Sequence, residues 1–133
     1  LSHTLVTRLN QAGFNITHTH GGFYLFLDFA AFRQRLLAIG LDNSTALCER
    51  LLNDTGVALL PGVAFGRPPS ELTVRIAFVD FDGAGALEAA GAVTAGALLS
   101  AKFSETWCPN CVTAIDLICQ WVGNLPPARS PER

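Results

Sequence analysis

Few residues in this chain are suited to chemistry, and each can be weighed by its surroundings. Arg75 lies inside LTVRIAF (72–78), a run that otherwise reads as core strand. A charge placed there needs a partner, because burying it alone is costly. Two explanations fit. One is a structural ion pair with an internal carboxylate such as Asp80 or Asp82; the other is a functional role that the pattern alone does not specify. Lys102 is the single lysine. A Schiff-base role needs a desolvated amine beside an anion-binding shell. SAKFSE offers a helix end and a solvated charge instead, so Lys102 is expected at the surface.

The four cysteines suggest two further chemistries. WCPNC (107–111) resembles the redox motif of thioredoxins, with Cys108 at a helix N-terminus where a thiolate is favoured. No strand directly precedes it, however, and only 22 residues follow Cys111, too few for the rest of that fold. A structural zinc site usually brings two close cysteine pairs. Here one pair, Cys108 and Cys111, stands beside Cys48 and Cys119, which lie on apolar helical stripes. His18 and His20 in THTHGG add ligands on paper, but alternate residues before a glycine pair read as a solvated turn. No metal site is expected, and so few cysteines point to a reducing compartment.

The elements that must position these residues follow from periodicity. Leu1, Leu5, Leu9 and Ala12 share a helical face that Gly13 ends. GFYLFLDF (22–29) is apolar at nearly every position and reads as a strand buried on both faces. A helix follows from about Ala30, with Phe29, Phe32, Leu36 and Ile39 in one stripe and Gly40 at its end. Asn43 or Ser44 caps the next helix, which buries Leu47, Cys48, Leu51 and Leu52 and stops at Gly56. Strands are expected at VALL (57–60) and LTVRIAF. The loop between them, PGVAFGRPPS, is too rich in Gly and Pro for regular structure, and Phe65 would fill the core. Residues 84–101 read as a weak helix, with Gly91 and Gly96 each costing about 1 kcal/mol relative to Ala. Pro109 opens a final helix that buries Cys111, Ile115, Ile118, Cys119 and Val122.

Composition narrows the function classes. The chain has 133 residues, 50% hydrophobic and 15% charged, against roughly 25% charged in an average soluble domain. Nine Lys and Arg against eleven Asp and Glu leave a net charge of −2, without the basic block that nucleic acid requires. The longest uncharged helical stretch, residues 89–101, falls short of the ~20 apolar residues of a membrane span. LSHTLVTRLNQAG has no basic start followed by an apolar run, so it is not expected to be a targeting segment. The chain contains no Met, so Leu1 is expected to be internal to something longer, and the surplus apolar surface to be covered by a neighbour.

The stretch from Gly21 to Asp82 resembles the small C-terminal domain of pyridoxal-phosphate-dependent aminotransferases of fold type I, the class I/II group. GGFYLFLDF (21–29) is similar to the family's glycine–aromatic strand, and LCERLLNDTGVALLPGVAFG (47–66) to its helix, strand and PG-x-x-FG loop. LTVRIAF is similar to the strand carrying its substrate-binding arginine, and CPNCVTAIDLICQWV to the helix that ends many members. The resemblance implies that Arg75 grips the α-carboxylate of an amino acid or 2-oxo acid. It implies a homodimeric, cytoplasmic transaminase whose pyridoxal phosphate and reactive lysine belong to a large domain. Nothing in this chain resembles that lysine-bearing segment. It also implies that the PG-x-x-FG loop runs along the mouth of the active site, where nothing in the sequence fixes the direction of Arg67.

These readings give an α/β fold of the α+β sandwich kind: a small sheet of three to four strands with helices packed on one face. Residues 1–122 would form the aminotransferase-type small domain and 123–133 a Pro-rich flexible tail. Arg75 is the expected substrate-binding residue, with no catalytic, cofactor-binding or metal-binding residue in the chain itself. The chain alone is expected to be inactive. A reading from a different class is a non-catalytic α/β module, left by truncation, that binds a partner.

Overall fold

The computed structural model describes residues 1–94 and 97–128. Helix α1 (Ser2–Gln11) leads to strand β1 (Tyr24–Asp28), a short 3-10 turn (Ala30–Phe32), α2 (Arg33–Leu37) and α3 (Ser44–Thr55). Strand β2 (Leu60–Pro61), a second 3-10 turn (Gly62–Phe65) and β3 (Thr73–Ala77) follow, then α4 (Gly83–Gly91), α5 (Ala101–Trp107) and α6 (Pro109–Gly123). The sheet is antiparallel with order β1-β3-β2, so β3 is central.

Helix ends follow the residues expected to make them. The Asn43 side chain accepts a hydrogen bond from the Ala46 N–H at 2.9 Å, which satisfies one donor left open in the first turn of α3. Gly56 closes α3 in the left-handed region, φ +75°, where any other residue would be strained. Pro109 stands at the start of α6, where its missing N–H costs nothing.

The core lies between the sheet and the helices. Leu25, Leu27, Val74 and Ile76 turn one face of the sheet inward. They share a single cluster with Leu5 and Leu9 of α1, Leu47 and Leu51 of α3, and Ile115 and Ile118 of α6. Full burial of each such side chain contributes roughly 1.5–3 kcal/mol. Polar ties at the rim fix the layers. Arg8 of α1 bonds Asp116 of α6 at 2.5 and 2.7 Å and Glu105 of α5 at 2.5 Å. Arg35 of α2 donates to the carbonyls of Gly123, Leu125 and Pro126, a cation at the C-terminal end of α6. Leu125 is buried, so the chain stays packed on the core just past Val122.

Several expectations need correction. β1 is not buried on both faces. Its residues alternate between exposed and buried, as those of central β3 also tend to, because the helices pack on one face of the sheet. The strand expected over 57–60 shrinks to Leu60–Pro61, while Val57 and Leu59 turn into the core outside the ladder. The loop 61–70 does hold regular structure, the 3-10 turn Gly62–Phe65. The helix expected over 84–101 ends at Gly91, and α5 begins separately at Ala101 under a Ser100 cap. The Ala/Gly-rich run between lacks an apolar stripe to pack; Gly96 falls outside the described residues.

Candidate functional site

The sheet face turned away from the helices carries Tyr24, Phe26, Leu60 and Arg75. The register places Phe26 of β1 and Leu60 of β2 directly opposite Arg75, so all three project to the same side. Tyr24 pairs with Ala77, one step along that face from Arg75. Tyr24, Phe26 and Leu60 are each between 42% and 48% exposed, a largely aromatic surface that the described residues cover only in part.

Arg75 is held by rings rather than by a carboxylate. Its guanidinium carbon lies 4.1 Å from the Tyr24 ring centroid and 4.1 Å from that of Phe65, so the cation sits over two aromatic rings. Each such contact is worth about 0.5–1 kcal/mol at an exposed site. The aromatic cluster continues outward. Phe26 meets Phe65 edge-on at 5.5 Å, and Phe23 packs against Tyr24 at 4.3 Å. Phe65 therefore does not fill the core.

Neither carboxylate considered in sequence pairs with Arg75. Asp82 caps α4 through the Gly85 N–H, and Asp80 accepts from the Asn110 side chain at 3.2 Å. Among the described residues no ion pair or hydrogen bond reaches the Arg75 guanidinium. Among the described residues the guanidinium N–H groups are left without a partner, and such donors can pair with a planar anion.

The loop delivers Phe65 to this place by close backbone approach. Gly62 sits against β3, where a Cβ would collide with Thr73, two residues before Arg75. Gly66 then closes the turn in the left-handed region, φ +78°. Arg67 points elsewhere and forms a bidentate ion pair with Glu71, at 2.8 Å for both bonds. That pair raises its pKa.

The remaining candidates lie apart from Arg75. Lys102 is exposed on α5. Cys108 and Cys111 are buried at the junction of α5 and α6, and burial pushes both thiols above their usual range. Cys111 donates a long hydrogen bond to the Asp80 carbonyl, 3.7 Å. His18 stacks on His3 at 4.6 Å. Among the described residues no three His, Cys, Asp or Glu side chains gather as metal ligands, and no helix is long and apolar enough to cross a membrane. Sequence reasoning missed Tyr24 and Phe65. The only available signal was the PG-x-x-FG turn, since aromatic residues on both faces of β1 hide its alternation.

Pyridoxal phosphate, which the family resemblance implies, does not fit the residues present. Its aldehyde needs a desolvated lysine beside an anion nest, whereas Lys102 is solvated on a helix with no glycine in its SAKFSE segment.

No family model matches the chain. The valine–pyruvate aminotransferase of Mycobacterium tuberculosis is 35% identical over 75 residues, 56% of this chain and 17% of that protein. A bifunctional aspartate aminotransferase and glutamate/aspartate-prephenate aminotransferase of Petunia hybrida is 37% identical over 68 residues, 50% of this chain and 14% of that one. The chain thus spans about a sixth of the length of these curated relatives. Among solved structures, an aminotransferase from Mycobacterium tuberculosis superposes with a TM-score of 0.55 at 27% identity, over 91% of this chain and 23% of its own. The aspartate aminotransferase of Thermotoga maritima shares the fold, with a TM-score of 0.55 at 24% identity over 92% of this chain and 22% of its own. In sequence over half its length and in fold over nine-tenths of it, the chain is similar to one part of an aminotransferase.

Proposed function

We propose that this chain serves as the small, substrate-carboxylate-binding domain of a fold-type I aminotransferase. Its role is to hold the α-carboxylate of an amino acid or 2-oxo acid on Arg75. The observation that carries this reading is the Arg75 guanidinium, packed over two rings with its donors unclaimed on an open face. A planar fork pairs with a carboxylate through two parallel hydrogen bonds, which fixes both position and plane. The substrate's Cα, bonded to that carboxylate, is then restricted to rotation about one bond, the kind of orientation that speeds a reaction at Cα.

In this reading the large domain, with lysine and pyridoxal phosphate, covers the open face and supplies the reacting groups. The complete enzyme is a cytoplasmic homodimer, and the isolated chain is inactive. The small domain extends beyond the expected boundary at 122, through Leu125, which packs on the core, and Pro126, whose carbonyl Arg35 holds.

Arg75→Lys keeps the charge and removes the fork. In an enzyme assembled from this chain and its large domain, kcat/KM should fall about ten- to several-hundred-fold. The loss should be similar for acidic and neutral amino acids, because all carry the α-carboxylate. A loss confined to acidic substrates would assign Arg75 to the side chain and overturn the reading.

A further inference from the structure

We propose that Phe65 and Tyr24 are positioning residues that set the plane of the Arg75 guanidinium, so that it meets a carboxylate edge-on. The proposal rests on the carboxylate reading above and extends it to residues that touch Arg75.

A free arginine head samples many rotamers, and fixing it for a ligand costs entropy. Here both ring centroids lie 4.1 Å from the guanidinium carbon, so the cost is met before a ligand arrives. The two rings come from different elements. Tyr24 is set by the β1–β3 register, while Phe65 is carried by the 3-10 turn. Phe65 is in turn buttressed edge-on by Phe26 at an interplanar angle of 78°. Rings packed over the guanidinium carbon leave its N–H groups as the approach for a ligand. A planar carboxylate can pair with that edge through two oxygens.

The test uses the full chain, with pyruvate as the probe and methyl pyruvate, which lacks the carboxylate, as control. The Arg75 Nε–Hε resonance is followed by NMR. In the wild-type chain the signal should be shifted by the rings, show restricted motion, and move with pyruvate but not with methyl pyruvate. Phe65→Leu should free the side chain, remove much of the ring shift and weaken pyruvate binding about two- to fivefold, the equivalent of one exposed cation–π contact. Phe65→Tyr should restore all three. Tyr24→Leu should repeat the effect from the other ring, which guards against a folding defect of one variant. If wild type and both Leu variants bind pyruvate equally, the positioning role is overturned and the carboxylate reading stands. If the wild-type Arg75 signal ignores pyruvate, the carboxylate reading falls and takes the positioning role with it.

Discussion

Gly62 lies so close to Thr73 that a Cβ built on it would stand 2.0 Å from Thr73 Oγ1 and 3.0 Å from the Thr73 carbonyl oxygen. This contact seats the 3-10 turn on the central strand, and the turn in turn brings Phe65 over Arg75. The position needs glycine for its size.

Gly62→Ala should therefore destabilise the chain by roughly 1–3 kcal/mol, as overpacking does, and displace Phe65 from Arg75. Thr73 Oγ1 is buried without a hydrogen-bond partner, so Thr73→Ala alone should cost little. In the double variant the hydroxyl is gone but the backbone oxygen remains. Stability should return in part. Urea denaturation of the four chains gives the cycle, and full additivity of the two substitutions would show that the contact is not what makes Gly62 necessary.

The cysteines should behave as packing residues. Burial pushes the Cys48 and Cys119 thiols up to about 11 and raises Cys108 and Cys111 as well. An acid whose folded pKa lies above its unfolded value adds stability below the unfolded pKa and loses it as pH rises. Stability should then decline from about pH 8.5, the ordinary thiol range, toward pH 11. Alkylation at pH 7 should be slow at all four thiols in the folded chain and fast in urea. Rapid labelling of Cys108 at pH 6 would restore the redox reading of WCPNC.

How far the sequence reveals this molecule depends on what each residue sees. Asn43, Gly56 and Pro109 act locally, Asn43 through its side chain on the next turn and the other two through their own backbone, and the helix ends they mark are legible. Arg75 was legible as a charge out of place in an apolar strand. Its partners were not. The alternation of β1 is hidden because Tyr24 and Phe26 on the open face are as apolar as Leu25 and Leu27 on the inner one. Phe65 read as core because its position depends on the close approach of Gly62 to Thr73, residues eleven apart in sequence. The break between α4 and α5 was missed for the opposite reason. Ala and Gly permit helix locally, and only the lack of a stripe to bury ends it.

The most direct measurement is a crystal structure of the chain with pyruvate. The carboxylate should lie in the plane of the Arg75 guanidinium, with both oxygens about 2.7–2.9 Å from two of its nitrogens and the Tyr24 and Phe65 rings still packed against it. A carboxylate bound away from Arg75, with Arg75 turned toward a carboxylate of the protein, would contradict the assignment.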